Sequence, residues 1–162
     1  MGADIVLSNE RLVGGEPVAD LTIQYRPLKG IEIPPDQIPL AIDEFPVLFI
    51  AAACAEGETV LHGAEELRVK ESDRIDAMAK GLEQLGIATE TFVDGIRIVG
   101  GKLGGGTIDS HGDHRIAMAF AVSALRAESA VTITNVANVA TSFPDFVELA
   151  SRAGIKISMV SE

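Results

Sequence analysis

An α/β architecture of repeated units (α+β under some schemes) is predicted for this 162-residue chain, and three observations carry the prediction. Apolar segments with helical spacing alternate with short strand-like runs. A small-Gly-apolar signature leading into an alternating strand occurs three times, in "MGADIVL" at 1, "LGIATETFV" at 85 and "AGIKISMV" at 153. A third correspondence appears when "FPVLFIAAACAEGETVLHGAEEL" is slid onto "HRIAMAFAVSALRAESAVTITNVANV" by 72 positions, which places Asp43 over Arg115, Glu66 over Asn138 and Lys70 over Ser142.

Taken in order, "NERLVGGEPVADLTIQY" reads as a strand pair. Met1-Gly2 has the character of a helix tail and its cap, which leads to the expectation that the chain is a piece of a longer one. "FPVLFIAAACA" is an apolar helix, followed by a turn and a short strand. In "RIDAMAKGLEQLG", Ile75, Met78, Ala79, Leu82 and Leu85 share one helical face and Gly86 is the stop. "ATETFVDGIRIVGG" is a hairpin turning at Asp94-Gly95, and "GGKLGGG" (100–106) a loop with positive-φ positions and without the Lys spacing of a phosphate-cradling loop. After the second apolar helix and strand comes "PDFVELASRAG", with Phe146, Val147, Leu149 and Ala150 as its buried face and Gly154 as its stop. A final strand is expected in "AGIKISMV".

Hydrophobic residues form 47% of the chain, enough for a core, and no stretch of about 18 residues is free of charge as a membrane span would be. No basic-then-apolar leader opens the sequence. The net charge of −11 argues against a nucleic-acid surface, and any anion site must concentrate its basic residues locally. The single cysteine, Cys54, permits no intrachain disulfide and fits a cytoplasmic location. Its apolar context reads as a small buried hydrophobe.

The chemistry gathers at helix starts. Five of the seven residues from Arg68 to Arg74 are charged, three of them basic. Ser72 reads as an N-cap with Arg74 in the first turn and Lys70-Glu71 just before it. Asp43 precedes a helix with Pro46 in its first turn, Asp113 precedes one that opens with His114 and Arg115, and Ser142 leads one with Pro144 early in it. A helix N-terminus carries partial positive charge, so cations there cost a few tenths to about 1 kcal/mol. Lys70, Arg74 and Arg115 accept that cost, which makes sense if an anionic ligand or paired carboxylates sit among them. The residues alone leave two accounts open. One is an anion site with Asp43 and Glu71 as acid or base groups; the other is a solvated network of Arg68, Glu71, Asp73 and Arg74, with Arg115 paired to Asp113.

"ELRVKESDRI" (66–75), "GDHRIAMAFAVSAL" (112–125) and "TSFPDFVELASRAG" (141–154) closely resemble the C-terminal portion of the 5-enolpyruvylshikimate-3-phosphate synthase (3-phosphoshikimate 1-carboxyvinyltransferase) family, across essentially the whole chain. The resemblance implies repeated βαβαββ-type units of the enolpyruvyl transferase fold. Residues 1–162 would form an incomplete C-terminal domain with a repeat boundary near 100–112, facing a missing N-terminal domain across a cleft. It implies transfer of the enolpyruvyl group of phosphoenolpyruvate to the 5-hydroxyl of shikimate 3-phosphate, with release of phosphate, in aromatic amino-acid biosynthesis. Neither metal nor organic cofactor is implied, nor a nucleic-acid or membrane partner.

By the same resemblance, Asp43 contacts shikimate 3-phosphate and accepts the proton of its attacking hydroxyl. Lys70 lies at the shikimate 3-phosphate ligand near the reacting centre, and Glu71 moves a proton at the methylene carbon. Arg74 and Arg115 hold the phosphate and carboxylate of phosphoenolpyruvate, and His114 is a neighbour of the substrates. Thr141 stands where some members carry a lysine, and Glu66 where some carry an asparagine. The isolated chain is expected to be inactive. Two rival readings are a UDP-N-acetylglucosamine enolpyruvyl transferase-like enzyme, which "RVKESDR" with "GDHR" disfavours, and a non-catalytic binding module of the same fold.

Overall fold

The structure, a computed structural model, describes residues 1–160. It opens with an antiparallel ribbon, β1 (Asp4–Val13) and β2 (Glu16–Gln24), joined by Gly14-Gly15. Both glycines have positive φ, the requirement of a two-residue turn whose twist matches its strands. Ile5, Val6, Leu7, Leu21 and Ile23 of the ribbon are exposed.

Residues 28–33 then run parallel to β3 (Glu58–Leu61): the Gly30 N–H donates to Glu56 O, and the Val60 N–H to Ile31 O. A 3-10 turn at Pro35–Gln37, the short α1 (Ile38–Ala41) and a second 3-10 turn at Ile42–Glu44 lead into α2 (Phe45–Ala53). After β3 come a 3-10 turn at Glu65–Val69, α3 (Arg74–Gln84) and the hairpin β4 (Ala88–Phe92) and β5 (Gly95–Val99). The sheet order is β3-β5-β4, antiparallel at both junctions. The second unit is β6 (Gly106–Asp109), α4 (His114–Ser123), β7 (Val131–Thr134), α5 (Ala137–Ser142) and α6 (Phe146–Arg152), with β6 parallel to β7.

The two units correspond position by position in places. The first residues of α3 and α6, Arg74 and Phe146, are 72 apart, as are Gly63 and Asn135, which both adopt positive φ just after β3 and β7 respectively.

The core lies between the helices and the three-stranded sheet. The face expected for α3, Ile75, Met78, Ala79, Leu82 and Leu85, is buried against Phe45, Phe49, Leu61, Ile96, Ile98 and Phe120. Gly81 lets α3 pack closely on α4: a Cβ there would lie 2.2 Å from the Phe120 ring. Helix α2 is apolar on nearly all sides, and six of its nine residues are buried, as a helix enclosed by its neighbours must be.

Five expectations need correction. No strand forms at 155–160: the Ile155 N–H turns back to Ala150 O, closing the end of α6. Of the predicted α6 face only Ala150 is buried; Phe146 and Val147 are half-buried and Leu149 exposed. Helix α6 starts at Phe146 after Asp145, Ser142 ends α5, and Pro144 sits in the link. The hairpin loop is Val93-Asp94, since Phe92 pairs with Gly95. Finally, the glycines of 100–106 are not at positive φ. At two of them backbone passes close by: a Cβ on Gly100 would lie 1.8 Å from Ala55 O and one on Gly105 2.7 Å from Ala130 O.

Candidate functional site

At the starts of α3 and α4, three cations converge on one carboxylate. Asp43, in the 3-10 turn ahead of α2, accepts a hydrogen bond from Arg74 Nη1 at 2.9 Å. Lys70 Nζ lies 4.0 Å and Arg115 Nη2 3.7 Å from its oxygens. The three cations come from three separate places in the chain: the end of the 65–69 turn, the first residue of α3, and the first turn of α4.

Arg74 is 1% exposed, and each side of its guanidinium meets a different carboxylate. Nε donates to Asp113 at 2.9 Å, Nη1 to Asp43 at 2.9 Å and Nη2 to Glu71 at 2.6 Å. Asp113, itself fully buried, caps α4 by accepting the N–H of Arg115 at 2.9 Å and of Ile116 at 3.5 Å, and it also accepts from Ser72 Oγ at 3.1 Å. Lys70 also donates to Glu66. The Arg115 guanidinium donates to Asp43 O at 2.9 Å and to Glu44 at 3.3 Å.

These partners decide the protonation states. The Arg74 hydrogen bond, with the charges of Arg115, Arg74 and Lys70, holds the Asp43 carboxyl below its ordinary range. Burial pushes the Asp113 carboxyl up, but the Arg74 bond and charge and the donors at Arg115 N and Ser72 outweigh it, and the net shift is downward. Burial works against the charged form of Arg74, yet Asp113, Asp43 and Glu71 together raise its pKa further. All three groups stay ionised at neutral pH. Arg74 is thus engaged with protein oxygens through all three of its nitrogens and Arg115 through Nη1, and the cluster of Lys70, Arg74 and Arg115 against Asp43, Glu44, Glu66, Glu71 and Asp113 carries an excess of carboxylate.

Asp43, Lys70, Glu71, Arg74 and Arg115 are therefore gathered at one locus. His114, the first residue of α4, is half-buried and makes no side-chain hydrogen bond to the cluster among the described residues. The cap of α3 is Asp73, which accepts the Asp76 N–H at 3.0 Å, one residue later than the Ser72 expected. Ser72 has turned to Asp113 instead. Arg115 pairs with Asp113 only through its backbone N–H, its guanidinium reaching Asp43 and Glu44. Arg68 leaves the cluster for the Asp73 carboxylate and the carbonyls of Phe92 and Val93, pinning the hairpin tip to the Lys70 segment. Sequence reasoning missed two members of the cluster: Glu44, which carried no signal of its own, and Asp113, read as a helix cap or a partner of Arg115; the signal at Asp113 was its place beside two basic residues in "GDHR". Asp, Glu, His and Cys form no metal-holding group among the described residues.

The fold is that of the enolpyruvyl transferases. The chain overlays the enolpyruvyl transferase NikO from Streptomyces tendae with a TM-score of 0.70 at 24% identity, over 98% of this chain and 34% of that one, a likeness of fold alone. It overlays EPSP synthase from Acinetobacter baumannii with a TM-score of 0.96 at 58% identity, over 99% of this chain and 38% of that one. The 3-phosphoshikimate 1-carboxyvinyltransferase of Alkalilimnicola ehrlichii is 64% identical over 159 residues, 98% of this chain and 36% of the relative. That of Legionella pneumophila (strain Lens) is 61% identical over 161 residues, 99% of this chain and 37% of the relative. The model of the EPSP synthase (3-phosphoshikimate 1-carboxyvinyltransferase) family matches residues 1–149, and the chain belongs to that family. It spans a little over a third of the length of these relatives.

Proposed function

We propose that residues 1–162 are the C-terminal portion of a 3-phosphoshikimate 1-carboxyvinyltransferase, with a repeat boundary near 100–112, and that they supply one wall of a cleft whose other wall is the missing N-terminal domain. The observation that carries this reading is the convergence of Lys70, Arg74 and Arg115 on Asp43. Phosphoenolpyruvate is a small multiply charged anion, and guanidinium groups match the geometry of its phosphate and carboxylate.

In this reading Arg74 and Arg115 hold phosphoenolpyruvate, and Lys70 and Asp43 hold shikimate 3-phosphate. His114, on the rim, is placed beside the substrates. The 5-hydroxyl oxygen attacks the central carbon of phosphoenolpyruvate as Asp43 takes the hydroxyl proton. A proton delivered at the methylene carbon by way of Glu71 completes the addition, giving a tetrahedral intermediate. Elimination breaks the bond from that carbon to the phosphate oxygen, a methyl proton returns by way of Glu71, the alkene re-forms on the product and phosphate is released. The carboxylates also stabilise the positive character that builds on the central carbon during protonation. Holding two reactants in attack geometry is worth roughly 7–11 kcal/mol, which requires both walls. No metal or organic cofactor takes part, and the lone free Cys54 suits a reducing, cytoplasmic compartment.

The test is a chimera joining this chain to the N-terminal part of the Alkalilimnicola relative, assayed for phosphate release from both substrates. The chimera should turn over and the isolated chain should not. Turnover by the isolated chain, or a fully active chimera carrying Asp43→Ala, would refute the reading.

A further inference from the structure

The three carboxylates around Arg74 are not equivalent. The Asp113 side chain is 0% exposed, whereas those of Asp43 and Glu71 are 46% and 51% exposed. Asp113 is held from four directions: Oδ1 accepts two backbone N–H groups of α4, and Oδ2 accepts Arg74 Nε and Ser72 Oγ. Withdrawing it would uncap α4 and strand a buried charge. Asp43 and Glu71 each contribute one bond to the guanidinium from turns that face water, so either can swing away and be rehydrated.

The orientation sorts them further. Asp113 takes Nε, while Asp43 and Glu71 occupy Nη1 and Nη2, the outer edge that a bidentate carboxylate or phosphate fits. A buried guanidinium with no partner is strongly unfavourable, so an empty site must fill that edge with its own carboxylates. Replacing them with a substrate anion exchanges one anion for another, at far less cost than dehydrating a bare cation.

Resting on the functional reading above, we propose that Asp113 is a positioning residue: it anchors Arg74 through Nε, so that the Nη1/Nη2 edge exchanges Asp43 and Glu71 for the substrate anion. The exchange has a chemical result. Once Nη1 turns to the ligand, Asp43 keeps only Lys70 at 4.0 Å and Arg115 at 3.7 Å, and its Oδ1 is free to receive a proton. Arrival of the anion and release of the proton acceptor are then one event, and the buried Asp113 keeps Arg74 from following the anion out of register.

The test is nitrogen-detected NMR of the arginine side chains in this chain, titrated with inorganic phosphate and then with phosphoenolpyruvate. The Arg74 Nε–Hε signal should stay slowly exchanging and nearly unmoved while its Nη signals shift. In Asp113→Asn, which keeps an oxygen for the α4 cap, Nε–Hε should lose protection and the Kd for phosphoenolpyruvate should rise at least tenfold. If Nε–Hε moves as far as Nη, if anions perturb Lys70 and Arg115 without moving Nη, or if folded Asp113→Asn binds as tightly as the native chain, the anchor is refuted. No movement at Nη with either anion refutes it equally. If phosphate exchanges at the Nη edge and phosphoenolpyruvate binds no better, the anchor stands and the functional reading falls. The native titration decides the matter alone should the variant fail to fold.

Discussion

Replacing Arg74 by Met is the sharpest test of how the cluster is held together. The methionine side chain keeps much of the packing volume but leaves the Asp113 carboxylate, 0% exposed, with only Ser72 and two backbone N–H groups as partners. Breaking a buried pair by removing one partner costs about 3–5 kcal/mol, because the remaining charge is uncompensated. Asp43 and Glu71 are near half exposure, so they return to water and add little. Against a total stability of about 5–15 kcal/mol, the loss is readable as a drop in the urea midpoint.

Its pH dependence identifies the cause. In the native chain the net shift of Asp113 is downward, so its contribution is present above the unfolded carboxylate value of about 4 and is lost as pH falls through the folded value. In Arg74→Met burial acts unopposed by the guanidinium, the folded value rises above the unfolded one, and the variant gains relative stability on acidification. The gap between native and variant should therefore narrow from pH 7 toward pH 4. A difference below about 1 kcal/mol at pH 7, or one that stays flat with pH, would show that Asp113 is not a charge dependent on Arg74.

Gly81→Ala should destabilise despite the better helix propensity of alanine. The new methyl would lie 2.2 Å from the Phe120 ring, whose 0% exposure leaves it little room to move, so an overpacking cost of about 1–3 kcal/mol exceeds a propensity gain of about 1 kcal/mol; a raised Tm would contradict this. Asp43→Ala in the chimera should lower kcat by about 10²–10⁴, the range of a lost acid-base group, in a steady-state phosphate-release assay. The Asp43, Asp94, Asp109 and Asp113 carboxyls are all shifted downward, so the native chain should hold its urea midpoint above about pH 5 and lose it progressively below about pH 4. A midpoint that rose on acidification would refute the sign.

Helix positions were legible wherever the apolar spacing was regular. The face of α3 from Ile75 to Leu85 needed only a 3.6-residue period, and the cations set against the dipole at Lys70, Arg74 and Arg115 pointed to the region of the cluster while leaving a solvated charge network equally open. What escaped depended on neighbours distant in sequence. Asp113 reads locally as a cap, and only the approach of α3 gives its second oxygen a guanidinium. Gly95 and Gly100 look like turn or loop residues in sequence, whereas the space they leave is taken by the carbonyls of Leu61 in β3 and of Ala55 just past α2. The strand expected after Gly154 had the right alternation, but alternation cannot supply a partner edge.

Gly30 and Gly95 flank β3 from either side, and a methyl on them would sit 2.1 Å from Glu58 O and 1.8 Å from Leu61 O; Gly100 meets Ala55 O at 1.8 Å. Even alanine has no place at these positions, so a saturation-mutagenesis screen would show them as blank as the catalytic candidates. Intolerance in such a map would mark backbone spacing and chemistry alike, and assigning function from the map would require separating the two by asking whether the lost variants still fold.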